Sequence, residues 1–76
     1  MLIYNVVDTM DVGNNTAVII DGYNEFIDKG TLILSDAGTS HQVISSELYG
    51  SKAVRKRSRR TALIVRGKFH SPKIYV

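Results

Sequence analysis

The chain has 76 residues, 43% of them apolar, with no cysteine and a net charge of +3. A chain this short makes one domain and buries only about 60% of its unfolded surface. Without cysteine it has neither a disulfide framework nor a thiolate metal site, and no apolar run approaches the about 20 residues of a membrane helix.

"LIYNVV" at 2–7 has the β-branched and aromatic content of a strand. The opening "MLIYNVVDTMD" carries no basic segment and meets Asp8 early, so a secretory signal is not expected. Gly13, Asn14 and Asn15 mark a turn, because Gly and Asn tolerate positive φ. "TAVIID" at 16–21 is a short apolar run rich in Val and Ile, which predicts a strand buried on both faces, closed by Gly22. "NEFIDKG" at 24–30 ends in a Lys-Gly turn, with Phe26 and Ile27 expected to point inward. "TLILS" at 31–35 predicts a third strand with Leu32 and Leu34 on its inner face, followed by a tight loop, "DAGTS", at 36–40.

"HQVISSELY" at 41–49 alternates imperfectly, and Ile44 and Leu48 fall on the side assigned to the core. A helix over 51–58, bracketed by Gly50 and Ser58, would bury little. "TALIVRG" at 61–67 is the strongest late strand. "KIYV" at 73–76 is a terminal strand, started after Pro72, whose missing N–H suits that position. Strands thus recur at roughly ten-residue spacing with turn signals between them, the pattern of an all-β barrel or sandwich. The inward set expected from this reading is Val6, Val18, Ile20, Leu32, Leu34, Ile44, Leu63 and Val65.

Catalysis is not expected. His41 and His70 are the only histidines, too few and too far apart for a zinc site. His41 and Ser40 are chain neighbours, which on a strand face opposite ways. Asp8, Asp11, Asp21, Asp28 and Asp36 lie mostly near turns, where Asp bonds local backbone. "DVGNNT" lacks the oxygen ligands of a calcium loop, and the glycines form no phosphate-binding fingerprint. No cofactor and no metal are expected.

The charge distribution is more informative. Residues 1–50 hold seven carboxylates and one cation, Lys29, whereas residues 51–76 hold nine Lys or Arg and no acid. Six of those nine, Lys52, Arg55, Lys56, Arg57, Arg59 and Arg60, fall within the nine residues "KAVRKRSRR" at 52–60. The guanidinium fork suits phosphate oxygens, and neutralising phosphates releases counterions, which gives affinity without sequence preference. An exposed basic loop between two strands that binds polyanions is therefore expected, with Arg66 and Lys68 extending the patch beyond the late strand. Tyr49 and Phe69 flank the region and could either stack on unpaired bases or fill the core. The opposite reading is that the basic part neutralises the acidic part, within the fold or across a dimer.

The stretch "VVDTMDVGNNTAVIIDGYNEFIDKGTLIL" at 6–34 resembles the second domain of translation GTPases such as elongation factor Tu. Val6 and Asp8 match that domain's opening, Gly13 and Thr16 its turn, Val18 and Gly22 its apolar strand, and Ile27, Gly30, Leu32 and Leu34 its next segment. "HQVISSEL" resembles the following strand and Arg66-Gly67 the end of a late one, whereas Asn15 and Thr31 depart from the pattern. The resemblance implies a closed antiparallel β-barrel of six strands that contacts RNA, since the family's domain helps bind the acceptor end of charged tRNA and touches the ribosome. The resulting expectation is one small closed antiparallel β-barrel domain over 1–76, cytoplasmic and non-enzymatic. Its basic loop would contact nucleic acid, RNA in preference, or alternatively an acidic protein surface or its own twin; no membrane is involved, and the oligomeric state is left open.

Overall fold

The computed structural model of the chain describes residues 1–22, 27–49 and 59–76. Its strands are β1 (Ile3–Val12), β2 (Asn15–Asp21), β3 (Leu32–Leu34), β4 (Ser40–Tyr49), β5 (Arg60–Val65) and β6 (Lys73–Tyr75). They pair antiparallel throughout and close a barrel in the order β1-β2-β5-β4-β3-β6. The described residues contain no helix, hence none long and apolar enough to cross a membrane. The expected closed six-stranded antiparallel barrel is therefore the observed fold. Phe26 and the segment considered for a helix at 51–58 lie outside the described residues.

Two long strands make the closure possible. β1 pairs with β6 through Ile3, Tyr4 and Asn5 and with β2 from Val6 onward. β4 pairs with β3 through Ser40, His41 and Gln42 and with β5 from Val43 onward. Each changes partner at a register shift of one residue, Val7 in β1 and Ile44 in β4. An extra residue of this kind bends the strand and raises its local twist, so both strands turn a corner where the barrel needs one.

The interior is filled by Val18, Ile20, Ile27, Ile33, Val43, Leu63, Val65, Phe69 and Ile74, with Tyr4, Val6 and Val76 packed against them. The alternation of β2 and β5 follows the sequence reading on the inner face. Their outer residues Ala17, Ile19, Ala62 and Ile64 are half-buried, so β2 is not buried on both sides as its composition suggested.

β3 is a correction. Ile33 is its inward residue, while Leu32 and Leu34 face outward at 61% and 36% exposure. Three consecutive apolar residues fit either phase of a two-residue period, and a slip of one residue flips every side chain. The pairing of Ile33 with His41 fixes the phase. Ile44, expected inside, is the half-buried extra residue of the β4 bulge, and Val43 and His41 take the inward positions before it. Leu48 shares the face of its inward partner Thr61 but is exposed near the strand's end.

Side chains tie the short strands down. The Tyr75 hydroxyl donates to the Asp36 carboxylate. That bond, some desolvation and the nearby negative charge together hold the Tyr75 phenol above its ordinary pKa of 10.0. The Ser71 hydroxyl donates to the Lys73 carbonyl and accepts from the Asp36 N–H, at 2.8 and 2.9 Å.

The β3 phase has a direct test. Ile33→Ala removes a fully buried side chain and is expected to destabilise by about 2–5 kcal/mol in urea unfolding. Leu34→Ala, on the outer face, is expected to cost less than about 1 kcal/mol. The reverse order would place β3 one residue out of register.

Candidate nucleic-acid interface

β4 and β5 are hydrogen-bonded neighbours whose paired ends are Tyr49 and Arg60, so the basic run spans the connection between adjacent strands. Lys52, Arg55, Lys56 and Arg57 lie outside the described residues. Arg59 is half-buried, and its Nε has no hydrogen-bond partner among the described residues. Arg60 lies opposite Asp21 in the β2–β5 register, with Nε 3.7 Å from the Asp21 carboxylate. Both side chains are about half exposed, a setting in which an ion pair is worth about 0–1 kcal/mol. Tyr49 is 52% exposed beside Arg60, whereas Phe69 is fully buried in the core. Of the two flanking aromatics, only Tyr49 offers a face at the surface.

Arg66 and Lys68 are elsewhere. They follow the far end of β5, and six residues of strand at about 3.3 Å each set Arg66 roughly 20 Å from Arg60. Among the described cations, Arg59 and Arg60 thus stand at one station, the start of β5, and Arg66 and Lys68 at a second, after its end. Lys68 is engaged by the acidic part of the chain, since its Nζ donates to the Gly13 carbonyl at 2.6 Å and sits 3.6 Å from Asp11. Among the described residues, this pair and Arg60–Asp21 join 51–76 to 1–50, so part of the charge asymmetry is neutralised within the fold. Lys29, Arg59, Arg66 and Lys73 form no ion pair among the described residues.

The turn after β5 is held from three sides. The Thr16 hydroxyl, fully buried, donates to the Gly67 carbonyl at 2.8 Å and accepts from the Phe69 N–H at 2.9 Å. The Asn15 side-chain oxygen accepts from the Gly67 N–H at 3.3 Å. His41 Nδ1 lies 2.9 Å from the Arg66 carbonyl; a carbonyl only accepts, so Nδ1 carries the proton and donates. The His41 ring also meets Phe69 edge to face, with centroids 5.1 Å apart. Gly67 has φ of 82°, a left-handed value that a side chain at this position would strain. His41, the second residue of β4, is a buried histidine that positions the Arg66 backbone.

Arg66 overlooks a groove of about 350 Å³ lined also by Lys29, Gly30, Gln42, Val43 and Ile44. The opposite wall is the turn Asp28–Thr31. There the Thr31 N–H donates to the Asp28 carbonyl at 3.0 Å, and the Asp28 carboxylate accepts from the Lys29 N–H at 2.7 Å. Gly30, at φ of 92°, permits the reversal. The Gly30 N–H then donates to the Val43 carbonyl and the Val43 N–H to the Thr31 carbonyl, both at 2.8 Å, which seats Lys29 beside β4. The sequence reading missed Lys29 and Gln42. Its only local signal was the Asp-Lys-Gly-Thr turn, and the pairing with Val43 that places the turn is long-range.

Among the described residues no three His, Asp or Glu side chains converge as a metal site. No family model, curated protein or solved structure matches the chain. The resemblance to the second domain of translation GTPases therefore stands on its quoted residues alone.

The hydroxyl of Thr16 is the hinge of this end of the barrel. Thr16→Val keeps the shape but leaves the Gly67 carbonyl and the Phe69 N–H without their partner, each worth about 1–3 kcal/mol when buried. The variant is expected to lose about 2–4 kcal/mol in chemical denaturation, and Thr16→Ser about 1 kcal/mol for its lost methyl. Wild-type stability in Thr16→Val would contradict this role.

Proposed function

We propose that the chain is a non-enzymatic binding module that contacts nucleic acid, RNA in preference, through Lys52, Arg55, Lys56, Arg57, Arg59 and Arg60. The observation that carries the reading is the density of cations, six in the nine residues 52–60, on the connection between two adjacent strands. A closed barrel supports it as a scaffold, since its strands leave no free edge and its connections project at the two ends. Exposed Tyr49 at the base of that connection supports unpaired strands over duplex, because an aromatic face stacks on any base that is not already stacked. The resemblance to a tRNA-contacting domain favours RNA over DNA and belongs to this proposal, as does a cytoplasmic setting, which the lack of cysteine suits.

A second reading, a protein-interaction module, is favoured by one feature. Ile3, Tyr75 and Leu34 form a cross-strand row on the outside of β1, β6 and β3, with exposed Leu32 beside it.

The first reading is tested by titrating labelled single-stranded RNA and duplex DNA at several salt concentrations. If about four cations reach phosphates of a single strand, log affinity falls with log salt at a slope of roughly −3, about −0.7 per contact. Changing Lys52, Arg55, Lys56 and Arg57 together to Ser is expected to flatten the slope and weaken binding to all sequences alike while leaving the fold intact. Absence of binding by the unmodified chain at about 50 mM salt would overturn the proposal. So would dissociation of a dimer by the fourfold change, which favours the second reading.

A further inference from the structure

The groove between the Asp28–Thr31 turn and Arg66 lies at the end of β5 away from the basic hairpin. Lys29 and Arg66 stand among its lining residues, both exposed and neither in an ion pair among the described residues. Gln42 adds an exposed side-chain amide and Ile44, the half-buried bulge residue, an apolar surface. The one neighbouring acid in the turn, Asp28, spends its carboxylate on the Lys29 N–H and does not line the groove.

We propose that this groove binds a phosphomonoester, its phosphoryl group between Lys29 and Arg66 and its organic part against Ile44. Two cations line one groove, and an anion between them gains from both charges. A carboxylate or a strand phosphodiester brings one negative charge, whereas a phosphomonoester brings about −1.5 to −2 at pH 7 and three acceptor oxygens. The planar fork of Arg66 can take two of those oxygens, and the Lys29 ammonium and Gln42 amide can reach others. The volume of about 350 Å³ falls within the range of small-ligand pockets, which begins near 300 Å³.

Both walls are set in advance. The backbone pairs of Gly30 and Thr31 with Val43 fix one, and the Arg66 N–H to the Gln42 carbonyl, at 2.9 Å, fixes the other together with His41. The backbone then needs no ordering on binding, and the ordering that opposes it is that of the exposed Lys29 and Arg66 side chains.

Such a phosphate could belong to a free nucleotide or to the phosphorylated end of a strand. The test follows backbone amide resonances of the whole chain during titration with AMP and, separately, with adenosine. Saturable shifts centred on Lys29, Gly30, Gln42, Ile44 and Arg66 are expected with AMP and not with adenosine. Arg66→Gln and Lys29→Gln, both at exposed positions, are each expected to weaken AMP binding on the order of tenfold. The fourfold Ser variant of the basic hairpin should bind AMP as the unmodified chain does, which separates this site from the one proposed above.

A matched pair of short RNAs, one with a 5′-phosphate and one with a 5′-hydroxyl, distinguishes the sources. A preference for the phosphorylated strand that Arg66→Gln removes assigns the site to strand ends, and AMP binding without that preference assigns it to free nucleotide. Equal responses to AMP and adenosine, or AMP binding indifferent to both single variants, would overturn the proposal.

Discussion

The two one-residue bulges at Val7 and Ile44 are the constraint on which this molecule rests. The chain does not build two separate sheets packed face to face. Instead, two ten-residue strands, β1 and β4, each serve two neighbours in succession, and the bulges bend them between partners. The three-residue strands β3 and β6 then need only bridge what remains, from Leu34 through Tyr75 to Ile3. Strands of three residues have little stability alone, and here the ring of neighbours supplies it. Closure also forces a single interior, so each strand sends alternate residues to one shared core.

The same geometry distributes charge. β5 spans the barrel and separates the cations at its start from those that follow its end. The acidic part of the chain reaches both stations through β1 and β2, so Asp21 meets Arg60 and Asp11 meets Lys68. These pairs are solvent-exposed and weak, so either lysine or arginine can exchange its carboxylate for a phosphate at little cost. Arg66 and Lys29 have no such partner among the described residues; the Arg66 N–H and the Gly30 N–H beside Lys29 are paired to β4, and the Lys29 N–H to the Asp28 carboxylate. The distinction between neutralised and unneutralised cations is thus a product of topology, not of composition.

Much of the fold was legible along the chain because β2 and β5 are short runs rich in Val, Ile and Leu, ended by Gly22 and by Arg66-Gly67, and the turn at 13–15 is marked by residue type. What failed did so for local physical reasons. The first strand was read only to Val7 because the bulge there breaks the two-residue period; beyond it, polar Asp8 and Asp11 conceal the continuation to Val12. The Leu-Ile-Leu run of β3 has no phase of its own. The bulge at Ile44 shifted the inward set of β4 to His41 and Val43. Nothing local to His41 shows that its partner is the Arg66 carbonyl, 25 residues away. The groove was invisible for the same reason, since it exists only once Gly30 and Arg66 are both paired to β4.

Closure can be measured most directly by native-state amide hydrogen exchange. The N–H groups of Val6, Val43 and Val76 donate to the carbonyls of Pro72, Thr31 and Leu2, at 2.8 Å each, and so report on the joins made by the short segments. In a closed barrel they open only with the whole, so their exchange free energies should match those of the β2–β5 ladder. Exchange at these amides faster by orders of magnitude than in β2 and β5 would instead mean an open sheet with frayed edges, and would contradict the closed ring.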